Sequence, residues 1–224
     1  MAPNPSAPGR PDADRPLTDV PPVTGQPLIL ASASPRRQEL MRLEGYVFTV
    51  AIPPVHEPEL MASGVSAAQQ AEALSYFKAR SVAARFDKGV IIAADTVVAC
   101  DGEVFGKPAD LDDARTILNA LLGKRQQVIT GVTLLDAAGG RRLIAHDTTV
   151  VVMGKLPEQA VEKYLASEAW QGKAGAYGIQ DRGDAFIERV QGSFTNVVGL
   201  PMELLARMLR QWGCRLPHKV RQDA

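Results

Sequence analysis

Hydroxyl and guanidinium side chains cluster near the start of the chain, in an arrangement that suits phosphate binding. Residues 32–37 read Ser-Ala-Ser-Pro-Arg-Arg and lie between a predicted strand and a predicted helix. The N–H groups and dipole of a helix N-terminus attract anions, and hydroxyl and guanidinium groups donate well to phosphate oxygens. Two interpretations stay open here: a phosphate site, and an ordinary capped helix with solvated arginines.

A carboxylate, Asp95, stands inside the otherwise apolar segment 90–98. Burying a carboxylate among apolar residues is costly unless it is paired, hydrogen-bonded or bound to a metal. We expect Asp95 at the end of its strand, facing a cleft, because ligands of open α/β sheets bind where strands end. The alternative is an aspartate that caps a turn.

Three further charged residues indicate a functional site only when they are considered together. Glu57 follows a predicted strand, Lys78 lies in a predicted helix, and Lys107 lies in the stiff sequence Gly-Lys-Pro. Each alone is typical of a solvated surface group. With Asp95 and Arg36 they would form an acidic metal site beside a basic phosphate site, as a phosphoryl or nucleotidyl substrate with Mg²⁺ requires.

A glycine-rich segment, 172–181, carries Lys173, Tyr177 and Gln180. Glycines allow a ligand to approach the backbone closely, and the Gln180 amide can both donate to and accept from the edge of a base. A flexible loop is the alternative. The segment has neither the Walker A order nor the GxGxxG order of glycines.

Composition excludes several classes of protein. Lys+Arg and Asp+Glu both number 25, so the chain lacks the basic excess needed to coat nucleic acid. The two cysteines lie far apart and the three histidines have no zinc-ligand spacing, which favours a reducing compartment and argues against zinc. No apolar run suits a membrane span or a signal peptide. We therefore expect a cytoplasmic protein with no nucleic-acid or membrane partner.

The pattern of elements predicts an α/β domain with a mixed sheet, because strands and helices alternate and at least two hairpins occur. We predict strands at 27–31, 46–52, 90–98, 103–105, 127–136, 143–153 and 186–190, and helices at 35–43, 65–86, 111–122, 157–167 and 201–212. Half of the 16 prolines fall between Pro3 and Pro27. We therefore predict a disordered Pro-rich tail at 1–26, a domain at 27–216 and a C-terminal tail at 217–224.

Six short motifs, in this order and at this spacing, resemble the Maf family. They are LASASPRRQEL at 30–40, ADTV at 94–97, GKP at 106–108, TGV at 130–132, KAGAYGIQ at 173–180 and VVGLP at 197–201. Each motif alone is weak, but the ordered set is highly specific. The resemblance spans about residues 28–212 and leaves out the N-terminal segment.

The resemblance implies a nucleoside triphosphate pyrophosphatase with an elongated mixed β-sheet flanked by helices, of the inosine-triphosphate pyrophosphatase-like (anticodon-binding-like) architecture. It implies Mg or Mn as a divalent cofactor, held by Glu57 and Asp95, with Asp95 as the catalytic base. The residues implied to hold the triphosphate are Ser32, Arg37, Lys78 and Lys107. Those implied to set base preference are Arg36, Thr96 and Gln180.

The residues at these last three positions resemble the branch of the family that acts on dTTP and UTP rather than on 7-methyl-GTP. A homodimer is left open. The competing hypothesis is a nucleotide-binding regulator of cell division with little turnover, since some members of the family are associated with arrest of division. We favour the enzyme, because a protein that only binds nucleotide has no need for a positioned base.

Overall fold

The computed structural model describes residues 25–54, 64–179 and 186–214. The strands are β1 Leu28–Leu30, β2 Phe48–Val50, β3 Val90–Cys100, β4 Glu103–Phe105, β5 Arg125–Asp136, β6 Arg142–Met153 and β7 Ile187–Gln191. The helices are α1 Pro35–Leu43, α2 Ala67–Ala83, α3 Leu111–Leu121, α4 Glu158–Ala166, α5 Phe194–Val198 and α6 Met202–Trp212. The predicted N-terminal tail, apart from its last two residues, and the predicted C-terminal tail lie outside the described residues, as do Glu57 and Gln180.

Local sequence accounts for where the helices begin. The Ser34 side chain accepts from the backbone N–H of Arg37, and Pro35 occupies the first position of α1, as predicted. Ser66 and Gln69 form a complete capping box at the start of α2. Asp110 caps α3 in the predicted way. These caps fix where α1 and α2, the two helices that carry most of the predicted basic residues, leave the sheet.

The seven strands form one mixed sheet in the order β2-β1-β3-β5-β6-β7, with β4 also paired to β3. Strands β1, β2 and β3 are parallel, whereas β3 to β7 pair antiparallel. Helix α2 packs on one face, where it buries Ile29, Ile91 and Leu135. Helices α1, α3 and α6 pack on the other face in a larger core. The predicted α/β class, a mixed sheet flanked by helices, is confirmed.

One edge of β3 is shared by two strands with a space between them. Strand β1 pairs with β3 only as far as the row of Leu30 and Ile92, and β4 pairs from Val98 onward. Within the described residues no strand therefore covers this edge over positions 93–97, which include Asp95. We call this the β1–β4 gap. Since side chains alternate along a strand, the gap can be reached from both faces of the sheet.

Two expectations about elements were wrong. Asp95 lies in the middle of β3, not at its end, because β3 continues past β1 to form a hairpin with β4 through Asp101 and Gly102. Helix α5 was not predicted, because five residues between a strand and a longer helix carry too little periodicity to be recognised. Among the helices of the described ranges, none combines the length and the hydropathy that a membrane span requires.

Candidate active site

A cavity of about 400 Å³ opens beside the β1–β4 gap. Its walls come from the end of β1, the start of α1, strand β3, the segment 171–179 and the end of α5. This volume is within the range of small-molecule sites. Residues of five of the six sequence motifs therefore line the cavity, although the motifs are spread over most of the chain.

The cavity has a strongly basic lining. Five cationic side chains line it, and none of the described lining residues is acidic. The five are Arg36, Arg37, Lys78, Lys107 and Lys173. Cations held around a partly enclosed space favour a ligand that carries several negative charges. The arrangement suits a triphosphate and argues against a neutral ligand.

Asp95 reaches the site from the α2 face of the sheet. It is only 3% exposed, and Lys78 of α2 forms an ion pair with it. Lys78 also lines the cavity, so the carboxylate lies immediately behind a cavity wall. The ion pair explains how a carboxylate is tolerated inside an apolar strand, since a buried charge requires a partner.

Gly131 explains how α2 comes close enough to form that ion pair. It lies opposite Asp95 on β5, directly beneath the α2 backbone. A Cβ placed at Gly131 would lie 2.3 Å from the carbonyl carbon and oxygen of Ala71. Only glycine allows this approach. The glycine of the TGV motif is thus required by helix packing rather than by the ligand.

Arg37 and Thr96 reach the site from the opposite face. The Arg37 Nε donates to the carbonyl oxygen of Gly199 at 2.7 Å, and its Nη2 donates to Thr96 Oγ1 at 3.1 Å. Gly199 has a φ of 120° and ends α5. Its backbone conformation is one that glycine adopts readily, which explains the glycine in the VVGLP motif. Arg37 is 8% exposed and still lines the cavity.

The remaining predicted residues lie at the rim and at the start of α1. The buried Ser32 hydroxyl accepts from the backbone N–H of Ser34 at 3.1 Å. Arg36 Nη2 donates to the carbonyl oxygen of Gly172 across the cavity at 3.4 Å. Lys107 is exposed at the rim, and the carbonyl of neighbouring Gly106 accepts from Gly175 N at 2.9 Å. The β4 loop and the glycine-rich segment are thereby joined.

Lys173 is a cavity residue that the predicted set of site residues did not include. It is 6% exposed, and its side chain passes over Gly178. A Cβ built at Gly178 would lie 3.1 Å from the Nζ of Lys173. Tyr177 also lines the cavity, and burial, with a smaller contribution from the nearby Cys100, raises the pKa of its hydroxyl. The glycine-rich run flagged the segment, but only the fold shows which of its side chains face the ligand space.

Seven of the nine predicted site residues lie in the described part of the chain, and the structure brings them to one place. Six of them line the cavity, and Asp95 lies behind Lys78. Glu57 and Gln180 lie outside the described residues. Pro53, four positions before Glu57, and Ile179, next to Gln180, both line the cavity.

The described residues supply part of the donor set for a divalent metal. Mg²⁺ and Mn²⁺ favour carboxylate oxygens, and Asp95 provides a carboxylate behind the wall of the basic cavity. No cluster of three His, Cys, Asp or Glu side chains occurs within the described ranges. The donor chemistry at Asp95 fits a hard cation, and a second carboxylate at Glu57 would extend it.

Comparison with known proteins agrees with this geometry. The family model described as Maf-like protein matches residues 27–212. A dTTP/UTP pyrophosphatase of Symbiobacterium thermophilum is 45% identical over 188 residues, which cover 84% of this chain and 95% of that relative. A protein of the same name from Pelotomaculum thermopropionicum is 41% identical, over 83% of this chain and 96% of its own length.

A solved structure described as a nucleoside-triphosphatase/dITP/XTP pyrophosphatase, from Mycobacterium abscessus, is 12% identical with a TM-score of 0.39. It covers 83% of this chain and 94% of its own length. A likeness with so low a TM-score does not establish a relationship, whereas the family match and the identity of the two relatives do. The chain belongs to the Maf-like protein family.

Proposed function

We propose that this chain hydrolyses dTTP and UTP to the nucleoside monophosphate and pyrophosphate. The observation that carries the proposal is the basic cavity with a buried carboxylate directly behind it, Asp95 paired with Lys78. The names of the relatives at 41–45% identity support the choice of reaction and substrate.

The cationic side chains would contact different phosphate groups of a triphosphate. Arg37 is fixed by Gly199 and Thr96, so its guanidinium offers an oriented set of donors. Lys78, Lys107 and Lys173 supply compact charges around it. Together they would offset the charge that builds up on the leaving pyrophosphate, which is the main requirement of phosphoryl transfer.

Asp95 is the proposed general base. It takes a proton from a water molecule that attacks the α-phosphorus, and the bond between that phosphorus and the α,β-bridging oxygen breaks. Pyrophosphate leaves on the opposite side from the attacking oxygen. The ion pair with Lys78 holds the carboxylate in one orientation, as a base within hydrogen-bond reach of its proton must be held.

Asp95 and Glu57 are the residues that would hold the divalent cation. When bound, the cation neutralises charge on the substrate phosphates. Asp95 belongs to the α2 face of the sheet, whereas Arg37 reaches the site from the opposite face. Ser32 remains proposed as a phosphate ligand through its hydroxyl at the end of β1.

Base preference is proposed to rest on Arg36, Thr96 and Gln180. A glutamine amide can pair with the alternating carbonyl, N–H and carbonyl groups of uracil or thymine. A glutamate at that position accepts only, and would repel the two carbonyls. A mismatched base would leave buried donors and acceptors unpaired, which can give strong discrimination.

Pyrophosphate release from a panel of nucleotides tests the proposal. We expect dTTP and UTP to be the best substrates, with 7-methyl-GTP poor, and activity to be lost on chelation of divalent cations. Tight binding of UTP without turnover in the presence of Mg²⁺ or Mn²⁺ would instead support the regulator hypothesis. Equal or greater kcat/KM for 7-methyl-GTP would contradict the substrate assignment but not the reaction.

The substitution Gln180→Glu tests base reading separately from chemistry. We expect kcat/KM for UTP to fall while hydrolysis keeps the same dependence on metal concentration. Gln171→Glu is the matched control, because Gln171 also lines the cavity but is not one of the three positions proposed to set base preference. Equal losses in both variants would indicate a general charge effect and not base reading.

A further inference from the structure

A chain of hydrogen bonds runs from Arg37 into the sheet. Arg37 Nη2 donates to Thr96 Oγ1 at 3.1 Å, and the hydroxyls of Thr96 and Thr130 are 2.9 Å apart. Thr130 Oγ1 then donates to the carbonyl oxygen of Asn196 at 3.2 Å. The chain connects α1, β3, β5 and α5, and Thr130 and Asn196 at its inner end are 0% exposed.

The direction of each hydrogen bond follows from proton counting. A threonine hydroxyl has one proton, and an arginine can only donate. Since Thr130 gives its proton to the carbonyl of Asn196, it must accept from Thr96. Thr96 therefore donates inward to Thr130 and accepts from Arg37. One arrangement of protons satisfies the whole chain, so each member fixes the orientation of the next.

The inner end of the chain is anchored to the sheet. Asn196 Nδ2 donates to the carbonyl oxygen of Val128 at 2.9 Å and to Thr149 Oγ1 at 3.0 Å. Its backbone N–H donates to the Ser193 hydroxyl that caps α5. The anchor therefore spans β5, β6 and α5. Any rotation of the Thr130 hydroxyl would cost a buried hydrogen bond.

We propose that Thr130 and Asn196 are positioning residues that hold the Arg37 guanidinium toward the triphosphate, and that Thr96 influences substrate selection through Arg37 rather than by touching the base. This inference rests on the proposed function. The Thr96 hydroxyl is engaged on both sides by Arg37 and Thr130, so its proton is already committed inside the protein. The Arg37 Nε, held by Gly199 at 2.7 Å, supplies the second fixed point that an oriented guanidinium requires.

The test compares Thr130→Val with Thr130→Ser. Valine keeps the shape and removes the hydroxyl, whereas serine keeps the hydroxyl. We expect Thr130→Val to raise KM for UTP about threefold to tenfold, the effect of one lost hydrogen bond, with kcat within about twofold of the parent. Thr130→Ser should restore most of the loss.

Thr133→Val is the matched control for losing a buried threonine hydroxyl. Thr133 lies on the same strand and is 0% exposed, but its hydroxyl pairs with Ser75 of α2 on the opposite face, at 2.7 Å. Melting temperatures of all variants are measured together. If Thr130→Val and Thr133→Val lose the same stability and neither changes KM, the role of Thr130 is structural only and the proposal is wrong.

A double-mutant cycle separates action through Arg37 from direct action. In an Arg37→Met background we expect Thr130→Val to add little further change in KM, because the group that it orients is gone. Full additivity of the two effects would overturn the proposal. The same four proteins are compared by their Kd for α,β-methylene-UTP. Calorimetry measures this Kd, which does not depend on turnover. If the parent binds this analogue but hydrolyses neither dTTP nor UTP, the proposed function fails while the positioning role is still tested.

Discussion

The two faces of β3 hold their polar groups in different ways. On the α2 face a direct ion pair joins Asp95 to Lys78, and α2 is brought close by Gly131. On the other face a longer chain of hydrogen bonds leads from the charged Arg37 through the hydroxyls of Thr96 and Thr130 into the sheet. Asp95 and Thr96 are neighbours in sequence, yet alternation along the strand sends them to opposite sides.

This difference suggests that the two faces contribute to different steps, one to catalysis and the other to substrate binding. The α2 face carries Asp95, the proposed base, whereas the opposite face carries an oriented arginine, Arg37. The β1–β4 gap lets both faces serve one cavity, because no strand pairs with positions 93–97 on that edge within the described residues. Damage to the α2 face should therefore lower kcat, and damage to the opposite face should raise KM.

The largest expected effect comes from Asp95→Asn. The change keeps the size of the side chain and removes the proposed base, so we expect kcat to fall at least ~100-fold with little change in KM. Pyrophosphate release measures turnover, and binding of α,β-methylene-UTP measures the retained site. Asp136→Asn, at the far end of β5, is the control. A folded Asp95→Asn protein with near-normal turnover would remove Asp95 from the mechanism.

The next effect concerns the approach of α2 to the sheet. Gly131→Ala places a methyl group 2.3 Å from the Ala71 backbone, so α2 must shift outward and Lys78 with it. We expect a loss of about 1–3 kcal/mol in the free energy of unfolding and a fall in kcat of about tenfold. Urea denaturation and steady-state kinetics provide the two measurements.

Gly140→Ala is the control for this substitution. Gly140 lies in the turn between β5 and β6, and a Cβ there would have no neighbour within 4 Å. The Gly140→Ala substitution should leave both the free energy of unfolding and kcat unchanged. A Gly131→Ala protein with normal stability would show that α2 does not need the close approach, and the proposed origin of the Asp95–Lys78 ion pair would then be wrong.

Local chemistry made much of this architecture predictable. Ser34 and Pro35 fix the start of α1, Asp101-Gly102 fixes the β3–β4 hairpin, and the alternation of elements fixes the α/β class. These features depend on residues within a few positions of one another. The sequence motifs likewise identified the residues that the fold gathers around the cavity, because each motif is short and contiguous.

Features set by strand register were not predictable in the same way. The sequence placed Asp95 at a strand end, because nothing local shows that β3 continues beyond β1. The bond between Thr130 and Asn196 joins residues 66 positions apart, and no local pattern reports it. Lys173 lay in a segment whose glycines and Gln180 drew attention, but it was not placed among the site residues, since the direction of a loop side chain depends on the packing around it.

A smaller effect is expected from Lys173→Met, a substitution in the lining of the cavity. Methionine keeps much of the apolar stem over Gly178 but removes the buried ammonium from the cavity lining. We expect KM for UTP to rise about tenfold, as for a hydrogen bond to a charged group, with kcat changed less. Lys155→Met is the control, because Lys155 also passes over a glycine, Gly123, but does not line the cavity. An unchanged KM would show that Lys173 does not bind the triphosphate.

The smallest effect concerns the support of α5, and it should be present at neutral pH and disappear in acid. Burial raises the pKa of Glu203, but hydrogen bonds from its own backbone N–H and from Ser193 and Thr195, with nearby Arg207, outweigh it and hold the pKa below its ordinary value of 4.5. The hydroxyls lie 2.8 and 3.1 Å from Glu203 Oε2, and Ser193 caps the helix that contains Asn196.

A carboxyl group whose pKa is lowered by folding stabilises the protein above its unfolded pKa, and this contribution is lost as pH falls through the folded pKa. We therefore expect Glu203→Gln to lower the melting temperature slightly at pH 7, and the difference from the parent to shrink as pH falls below 4.5. Glu188→Gln, on an exposed position of β7, should show no such convergence. A difference that stays constant from pH 7 into the acid range would mean that the hydroxyls of Ser193 and Thr195 do not stabilise the charged form of Glu203.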